Sequence, residues 1–177
     1  LMARAYLWMG NTQKAGECAR AVIEKVSNED KPLFPLVDVD YMTKNSPDGV
    51  FYPEVLFSLY NTSRPDVVYK ALFVPTLATT SILTMAGDLA TGRVNETYDD
   101  KNDYRYRMWE STVENNREVT YFIKYMDETR TGAEVYRYMI PLIRMSELYL
   151  IAAECETNVQ TALDKYFNPL RFSRNCV

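Results

Sequence analysis

The chain contains 177 residues, of which 47% are hydrophobic, and a chain of this size and composition can bury one sizeable core. A single domain over residues 1–177 is therefore predicted. The net charge of −4 and the pI near 5.0 argue against a nucleic-acid partner, which requires a basic surface. No apolar run approaches the roughly 18 residues of a membrane-spanning helix. The absence of histidine excludes His-based catalytic triads and His-ligated zinc sites.

Residues 1–26 are predicted to form a helix hairpin. The first helix ends near Leu7, Gly10-Asn11-Thr12 forms the turn, and a second helix covers residues 13–26. Apolar residues recur on this second helix at helical spacing: Ala15, Cys18, Ala19, Val22, Ile23 and Val26. Such a stripe needs neighbouring helices to cover it. Trp8, on the first helix, is interpreted as a packing residue.

Residues 27–139 are predicted to form a loop-rich middle region with a few short strands. The region is rich in Pro, Asp, Asn and Thr, and its strand-like segments are residues 55–59, 119–125 and 135–140. The last two flank residues 127–132, which are interpreted as a hairpin loop. Residues 68–85 have a helical pattern that Pro75 interrupts. Because irregular segments on a helical scaffold often carry function, ligand contacts are expected in this region.

Two motifs of the middle region each allow several interpretations. Residues 99–103 cluster oxygen ligands but lack the glycine and final glutamate of the common calcium loop, so a solvated acidic loop is preferred to a calcium site. Residues 104–109 alternate aromatic and basic side chains, a pattern that can stack nucleobases. The flanking acids Asp103 and Glu110 reduce the positive potential that nucleobase binding needs. The period of two also fits a strand. No metal and no cofactor is predicted.

Residues 140–177 are predicted to form a second helix hairpin, preceded by a strand through Pro141. Its first helix has an apolar face formed by Met145, Leu148, Tyr149, Ala152 and Ala153. A neighbouring face holds Arg144, Glu147, Ile151 and Glu154. The two glutamates lie about 10.5 Å apart along the helix axis, near the carboxylate spacing of inverting glycosidases. Structural pairing with Arg171 and Arg174 of the following helix is the preferred interpretation.

The last helix contains a residue that normally interrupts helices. Thr157-Asn158 are predicted to turn and cap it, and its apolar stripe consists of Val159, Ala162, Leu163, Tyr166, Phe167 and Leu170. Pro169 lacks a backbone donor and disfavours helical geometry at Asn168, so the helix either ends near Phe167 or is kinked there. The two hairpins are typical of tetratricopeptide-like units in an interrupted array.

These motifs occur in an order known from one protein family. The strand-to-helix segment at residues 140–154 resembles the signature helix of the SusD/RagB-like family, nutrient-binding lipoproteins on the outer surface of Bacteroidetes. Asn168-Pro169-Leu170-Arg171 resembles the family's asparagine-x-apolar-arginine segment, and residues 1–23 resemble its alanine-rich helix pair. Residues 54–59 resemble its acid-led strand, and Asp103-Tyr104-Arg105 is similar to its Asp-x-Arg motif.

The resemblance implies a mainly helical fold, in which tetratricopeptide-like hairpins support the loop-rich middle region. It also implies non-catalytic binding of an oligosaccharide or similar nutrient at the cell surface, with delivery to a TonB-dependent outer-membrane transporter. The protein is then expected at the outer membrane, held by a lipid anchor outside this fragment. The charged residues Arg144, Glu147, Glu154 and Arg171 are expected to be structural.

Aromatic side chains of the middle region are candidates for stacking on sugar rings. Trp109, Tyr98 and Tyr104 are the best placed, with Arg105 as a donor to hydroxyl groups, and burial in the core is the alternative for each ring. A competing function is a tetratricopeptide-like scaffold for protein–protein interaction, whose ligand-facing aromatics would follow the helical groove. A two-carboxylate glycosidase is the enzymatic alternative.

Overall fold

The computed structural model describes residues 1–27, 32–44 and 48–176. Its helices are α1 (Met2–Trp8), α2 (Thr12–Ser27), α3 (Val39–Lys44), α4 (Arg93–Thr97), α5 (Met145–Glu154), α6 (Val159–Thr161) and α7 (Asn168–Ser173). Its strands are β1 (Val55–Tyr60), β2 (Trp109–Glu114), β3 (Arg117–Phe122) and β4 (Met139–Arg144). The fold is therefore mainly helical with a few short strands, as predicted. Residues 28–31 and 45–47 of the predicted middle region lie outside the described residues.

The helices α1, α2 and α5 pack around one apolar core. Ala15, Ala19 and Ala152 have no exposed surface, so the alanines predicted to face other helices at these positions are buried. Gly16 allows α2 to approach the end of α5, because a Cβ at this position would lie 2.8 Å from the Cβ of Cys155. The other buried members of this core are Ala3, Ile23, Val26, Met145, Leu148 and Ile151.

Several apolar side chains lie elsewhere than predicted. Ile151, assigned to the charged face of α5, is only 4% exposed, because the core covers a wider part of α5 than the predicted stripe. Trp8, interpreted as a packing residue, is 86% exposed at the end of α1. Val159 and Phe167 are also exposed, since no described element covers their side of the last helix. The tetratricopeptide-like stacking of the hairpins stays a prediction.

The four strands form two separate antiparallel pairs. β1 pairs with β4, and β2 pairs with β3. The predicted hairpin between residues 119–125 and 135–140 is therefore wrong, because each of these segments pairs with another strand. Asn115 and Asn116 both adopt positive φ in the two-residue turn between β2 and β3, a geometry that suits the twist of neighbouring strands. Residues 127–132 connect the two pairs.

The last helix continues through Pro169. A π-helix at Ala162–Phe167 leads directly into α7, and Asn168 has helical angles, φ −64° and ψ −44°. Of the two predicted alternatives, the end of the helix near Phe167 is therefore wrong; the helix changes from π to α at that point. Asn158 caps α6 as predicted, by accepting a hydrogen bond from the Thr161 amide. No helix in the described part of the chain is long and apolar enough to cross a membrane.

Glu147 of α5 is paired with a residue of α1. Arg4 donates from Nε to Oε1 at 2.6 Å and from Nη2 to Oε2 at 2.5 Å. Arg4 also donates to the carbonyl of Leu142 in β4, so one side chain ties α1 to both neighbouring elements. The predicted pairing of Glu147 with Arg171 or Arg174 is wrong, because both of its carboxylate oxygens are bonded to Arg4, which lies in a distant part of the sequence. Glu154 is exposed.

Arg174 instead joins the end of α7 to the beginning of β1. Its guanidinium donates to both carboxylate oxygens of Glu54 at 2.6 Å and lies 4.2 Å from the centre of the Phe51 ring. Both charged side chains of this pair are almost completely buried. Arg144 lies 5.7 Å from the same ring. Among the described residues, neither Arg144 nor Arg171 has a carboxylate within 4.0 Å.

Candidate functional site

The segment between α4 and β2 is held in place by one buried carboxylate. Asp103 is 3% exposed and accepts hydrogen bonds from the Arg105 amide at 2.7 Å and the Arg105 Nη2 at 2.6 Å. The Cys176 thiol donates to the same carboxylate at 3.0 Å, which attaches the segment to the end of the described chain. The Asp-x-Arg motif therefore forms a local clamp that fixes the direction of Arg105.

Two tyrosine rings, an arginine and a lysine meet on the surface beside this clamp. The rings of Tyr98 and Tyr106 pack edge to face, with their centres 6.4 Å apart. The Arg105 guanidinium lies 5.7 Å from the Tyr98 ring, and the Lys101 ammonium lies 4.3 Å from the Tyr106 ring. Lys101 also donates to the Tyr98 carbonyl at 3.1 Å and to the side chain of Asn95. We name Tyr98, Lys101, Arg105 and Tyr106 the tyrosine platform.

The charges at the clamp are stable near neutral pH. Burial acts to raise the pKa of Asp103, but hydrogen bonds from Arg105 and Cys176 outweigh it and lower that pKa below its usual value. The hydrogen bond to Asp103 raises the pKa of Arg105. Burial and the nearby carboxylate raise the pKa of the Cys176 thiol to about 11. Asp103 is therefore an anion, Arg105 a cation and Cys176 a neutral thiol that donates.

The tyrosine platform has the groups that recognise a neutral sugar. Tyrosine rings provide flat apolar area, and each ring keeps part of its surface in contact with solvent. Arg105 bonds to Asp103 and Cys176 through Nε and Nη2, and its Nη1 has no hydrogen-bond partner among the described residues, so Nη1 can donate to a ligand hydroxyl. The arrangement can therefore stack on a ring and donate to it.

Of the four predicted ligand contacts, Tyr98 and Arg105 lie together and the other two lie elsewhere. Tyr104 is 4% exposed in a second apolar core with Met108 and Ile123, so its ring has little surface for a ligand. Trp109 packs on Phe122 of the opposite strand, with ring centres 4.6 Å apart. Its indole nitrogen is buried without a hydrogen-bond partner in the described part of the chain.

Tyr106 and Lys101 were not among the predicted contacts. The segment 104–109 was compatible with a strand, whereas the structure has a 3-10 helix at Tyr106–Met108 before β2 begins at Trp109. This helix changes the side-chain period from two to three and brings Tyr106 to the side of Tyr98. The sequence signal that could have identified Tyr106 was the aromatic-basic motif at residues 104–109, which contains both Arg105 and Tyr106.

The acidic segment at residues 99–103 uses its oxygens within the loop. Asp99 accepts from the Asp100 amide, Asp100 accepts from the Asn102 amide, and Asp103 binds Arg105. Within residues 1–27, 32–44 and 48–176, no group of three or more Cys, Asp and Glu side chains could hold a metal ion. These contacts are those of an acidic loop whose oxygens bond to its own amides and to Arg105.

Two of the larger open grooves in the described part of the chain lie outside the tyrosine platform. One of ≈ 430 Å³ follows β3, with an apolar floor and with Arg117, Glu118 and Asp88 among its lining residues. The other, of ≈ 600 Å³, lies between α1, α2 and β1 and is lined by apolar side chains such as Met2, Val22 and Phe57. Neither groove contains an aromatic pair with adjacent cationic donors.

Comparison with known proteins identifies related folds. A SusD-like carbohydrate binding protein from Bacteroides vulgatus is 17% identical with a TM-score of 0.60, covering 99% of this chain and 36% of that chain. A SusD superfamily protein from Bacteroides thetaiotaomicron is 24% identical with a TM-score of 0.66, covering 97% of this chain and 39% of that chain. The present chain thus spans less than two fifths of each relative. A search of curated proteins gives no match.

The sequence itself matches a family model over most of its length. The model of the SusD family covers residues 40–173, which include the β1–β4 pair, the tyrosine platform and the strand-to-helix segment around Arg144. The two solved structures have the same fold as this chain. On the extent of the family match, the chain belongs to the SusD family.

Proposed function

We propose that this protein captures an oligosaccharide at the cell surface without catalysis and delivers it to a TonB-dependent outer-membrane transporter. In this proposal the protein is a lipoprotein of the outer membrane. Membership of the SusD family supports the proposal, and one solved relative of the same fold is described as a carbohydrate binding protein. The observation that carries it is the tyrosine platform on the middle region.

The tyrosine platform would supply both binding affinity and a fixed orientation of the sugar. Stacking a pyranose face on a tyrosine ring removes apolar area from water at about 25 cal/mol per Å². Arg105 is oriented before the ligand arrives, because Asp103 holds two of its nitrogens. A donor that is already ordered costs little conformational entropy on binding. Tyr98 and Tyr106 would therefore provide the stacking surface, and Arg105 would bind a hydroxyl of the same sugar.

The two alternative functions, a two-carboxylate glycosidase and a scaffold for protein–protein interaction, have less support from the described contacts. A two-carboxylate hydrolase would need Glu147 free, but both of its carboxylate oxygens accept hydrogen bonds from Arg4. A protein-binding scaffold would be favoured by aromatic side chains along the helical groove. The Tyr98–Tyr106 pair, with Arg105 and Lys101 beside it, lies on the segment between α4 and β2 instead.

The proposal is tested by calorimetry on the full-length protein, with the glycan that binds best in a glycan-array screen. Tyr98→Ala and Tyr106→Ala should each weaken binding about tenfold, because each removes roughly 60 Å² of stacked apolar area, or about 1.5 kcal/mol. Tyr60→Ala is the matched control, since Tyr60 is a 62% exposed tyrosine on β1 whose ring, like those of the platform, packs on a second tyrosine, Tyr138, but lies outside the platform. Its affinity should equal that of the wild type.

Two results would contradict this assignment. If both platform variants keep wild-type affinity while remaining folded, the sugar does not bind at Tyr98 and Tyr106. If the array detects no glycan but the protein hydrolyses one, capture without catalysis is wrong. Trp109→Ala belongs in the same series as a second aromatic candidate. Its fold must be checked first, because its ring packs on Phe122.

A further inference from the structure

Helix α1 is apolar on the side that faces solvent as well as on the side that faces the core. Ala3 is buried in the core that α1 forms with α2 and α5, and Tyr6 and Leu7 pack beside it. A surface helix normally carries charged or polar side chains opposite its buried face. Here the exposed residues, which we name the outer face of α1, are Leu1, Met2, Ala5, Trp8 and Met9.

The residues of the outer face share one side of the helix. At about 100° per residue, they fall within roughly 120° of the helix circumference, with Ala5 near the middle. Arg4, the charged residue of α1, lies outside this arc and donates to both carboxylate oxygens of Glu147. The outer face therefore has the composition of a buried surface, and its middle residue has a small side chain.

The apolar surface continues from α1 into the groove of ≈ 600 Å³ between α1, α2 and β1. Leu1 and Met2 belong both to the outer face and to the lining of this groove. Val22 of α2 and Phe57 of β1 line it further along and are 37% and 53% exposed. The outer face and the groove are therefore one continuous apolar surface.

This surface is large enough for a stable protein partner. Trp8 is 86% exposed, Met9 75% and Met2 58%. Together with Leu1, Val22 and Phe57, these residues expose roughly 900 Å², close to the area of about 800 Å² that each partner buries in a standard interface. Scattered apolar residues are normal on a protein surface, but a contiguous patch of this size marks an interaction site.

The absence of charge on the outer face restricts the partner. A charged side chain buried against it would lack a counter-charge, at a high cost in free energy. A second copy of the chain avoids that cost, because two-fold symmetry places the same uncharged surface against itself. If two copies of α1 pack antiparallel with Ala5 at the axis, Trp8 and Met9 of one copy lie against the groove end of α1 in the other. The small side chain of Ala5 lets the two helix axes approach closely at their crossing point.

We propose that the outer face of α1 is the interface of a homodimer, in which two copies of α1 pack antiparallel about a two-fold axis at Ala5. Trp8 is the main anchor, because a large aromatic side chain at the centre of an interface contributes most to affinity. Leu1 and Met2 of the partner subunit form the surface on which it packs. The interface shares no residue with the tyrosine platform, so the dimer does not depend on the proposed glycan binding.

The experiment is sedimentation equilibrium of the protein from about 1 to 100 μM. The wild type should change from monomer to dimer over this range. Trp8→Glu should raise the dimer dissociation constant at least about thirtyfold, because it removes the anchor and buries a charge. Phe172→Glu is the matched control, since Phe172 is a 56% exposed aromatic residue on α7, outside the outer face and the groove. This control should associate as the wild type does.

The arrangement of the two helices is tested by a cysteine introduced at the proposed axis. A residue on a two-fold axis lies next to its own copy, so Ala5→Cys should form a disulfide-linked dimer under mild oxidation. Val159→Cys, at a 72% exposed position on α6, is the control and should not form one. Peptide mapping by mass spectrometry distinguishes this disulfide from those of Cys18, Cys155 and Cys176.

Four results would overturn the proposal. The first is a wild-type protein that stays monomeric at the highest concentration, and the second is a Trp8→Glu variant that associates as tightly as the wild type. The third is an Ala5→Cys variant that forms no disulfide-linked dimer. The fourth is a monomer in which Trp8 is protected from a soluble quencher, because another segment or another protein would then cover α1. If Trp8→Glu does not fold, Met9→Lys replaces it with the same expected weakening.

Discussion

Glu54 and Glu147 each accept two hydrogen bonds from a single arginine, but they differ in burial. The side chains of Arg174 and Glu54 are 6% and 0% exposed, whereas those of Arg4 and Glu147 are 39% and 32% exposed. Water screens the second pair and solvates either partner when the other is removed. In the first pair, the loss of one charge leaves the other buried and uncompensated. The same contact geometry therefore has different energetic consequences.

Substituting the two glutamates should reveal this difference. Glu54→Ala should lower the free energy of unfolding by about 3–5 kcal/mol, because Arg174 remains buried without its partner. Glu147→Ala should lower it by only about 0.5–1 kcal/mol, after allowance for solvent screening. Urea denaturation of both variants measures the two losses, and Glu154→Ala serves as an exposed control on α5. Equal losses at Glu54 and Glu147 would show that burial does not determine these pair energies.

Lys124 should make stability depend on pH in the alkaline range. Burial and the neighbouring Arg144 lower its pKa in the folded protein to about 8, from 10.5 in the unfolded chain. Between these values the unfolded state binds more protons, so stability rises with pH, by at most about 1.4 kcal/mol per unit. Below pH 8 both states are protonated and the folded state carries the full cost of the buried charge.

The measurement compares the wild type with Lys124→Met from pH 7 to pH 10.5. The variant should be the more stable protein at pH 7, and the difference should shrink as the pH rises. Subtracting the two curves removes the opposite effect of groups such as Cys176, whose pKa is raised to about 11. A difference that stays constant over this range would contradict the lowered pKa of Lys124.

At the scale of elements, the turn between β2 and β3 depends on residues that tolerate positive φ. Asn115 and Asn116 have φ values of 51° and 61°. Asn116→Val should lower the free energy of unfolding by about 1–2 kcal/mol, because a β-branched residue is strained in this conformation. Asn116→Gly is the matched control and should retain or increase stability. Chemical denaturation distinguishes them, and a stable Asn116→Val variant would argue against this turn.

At the scale of the whole molecule, the close packing of α2 against α5 depends on Gly16. In an isolated helix, replacing Gly by Ala stabilises by about 1 kcal/mol. Here the new Cβ would lie 2.8 Å from the Cβ of Cys155 and 2.9 Å from Nη1 of Arg20. We expect Gly16→Ala to lower the melting temperature, since the helices must separate to accept the methyl group. A higher melting temperature would mean that helix propensity outweighs this contact.

The sequence by itself determined the helices of the core and the alanines through which they pack. Ala15, Ala19 and Ala152 were predicted to be buried and have no exposed surface. The strand-to-helix transition at Arg144 was likewise predicted, and the structure has it between β4 and α5. These features are local, because an apolar stripe at helical spacing or a strand that stops at a helix start involves residues close together in sequence.

Only the tertiary structure decided which distant segments meet. Arg4 and Glu147 are 143 positions apart, and Glu54 and Arg174 are 120 positions apart, so no local pattern relates them. The same holds for the pairing of β1 with β4. In the tyrosine platform, Tyr98 and Arg105 could be chosen from composition, but a 3-10 helix brought Tyr106 beside them and packing removed Tyr104 from the surface. Long-range packing selects among locally acceptable conformations, and sequence periodicity does not predict that selection.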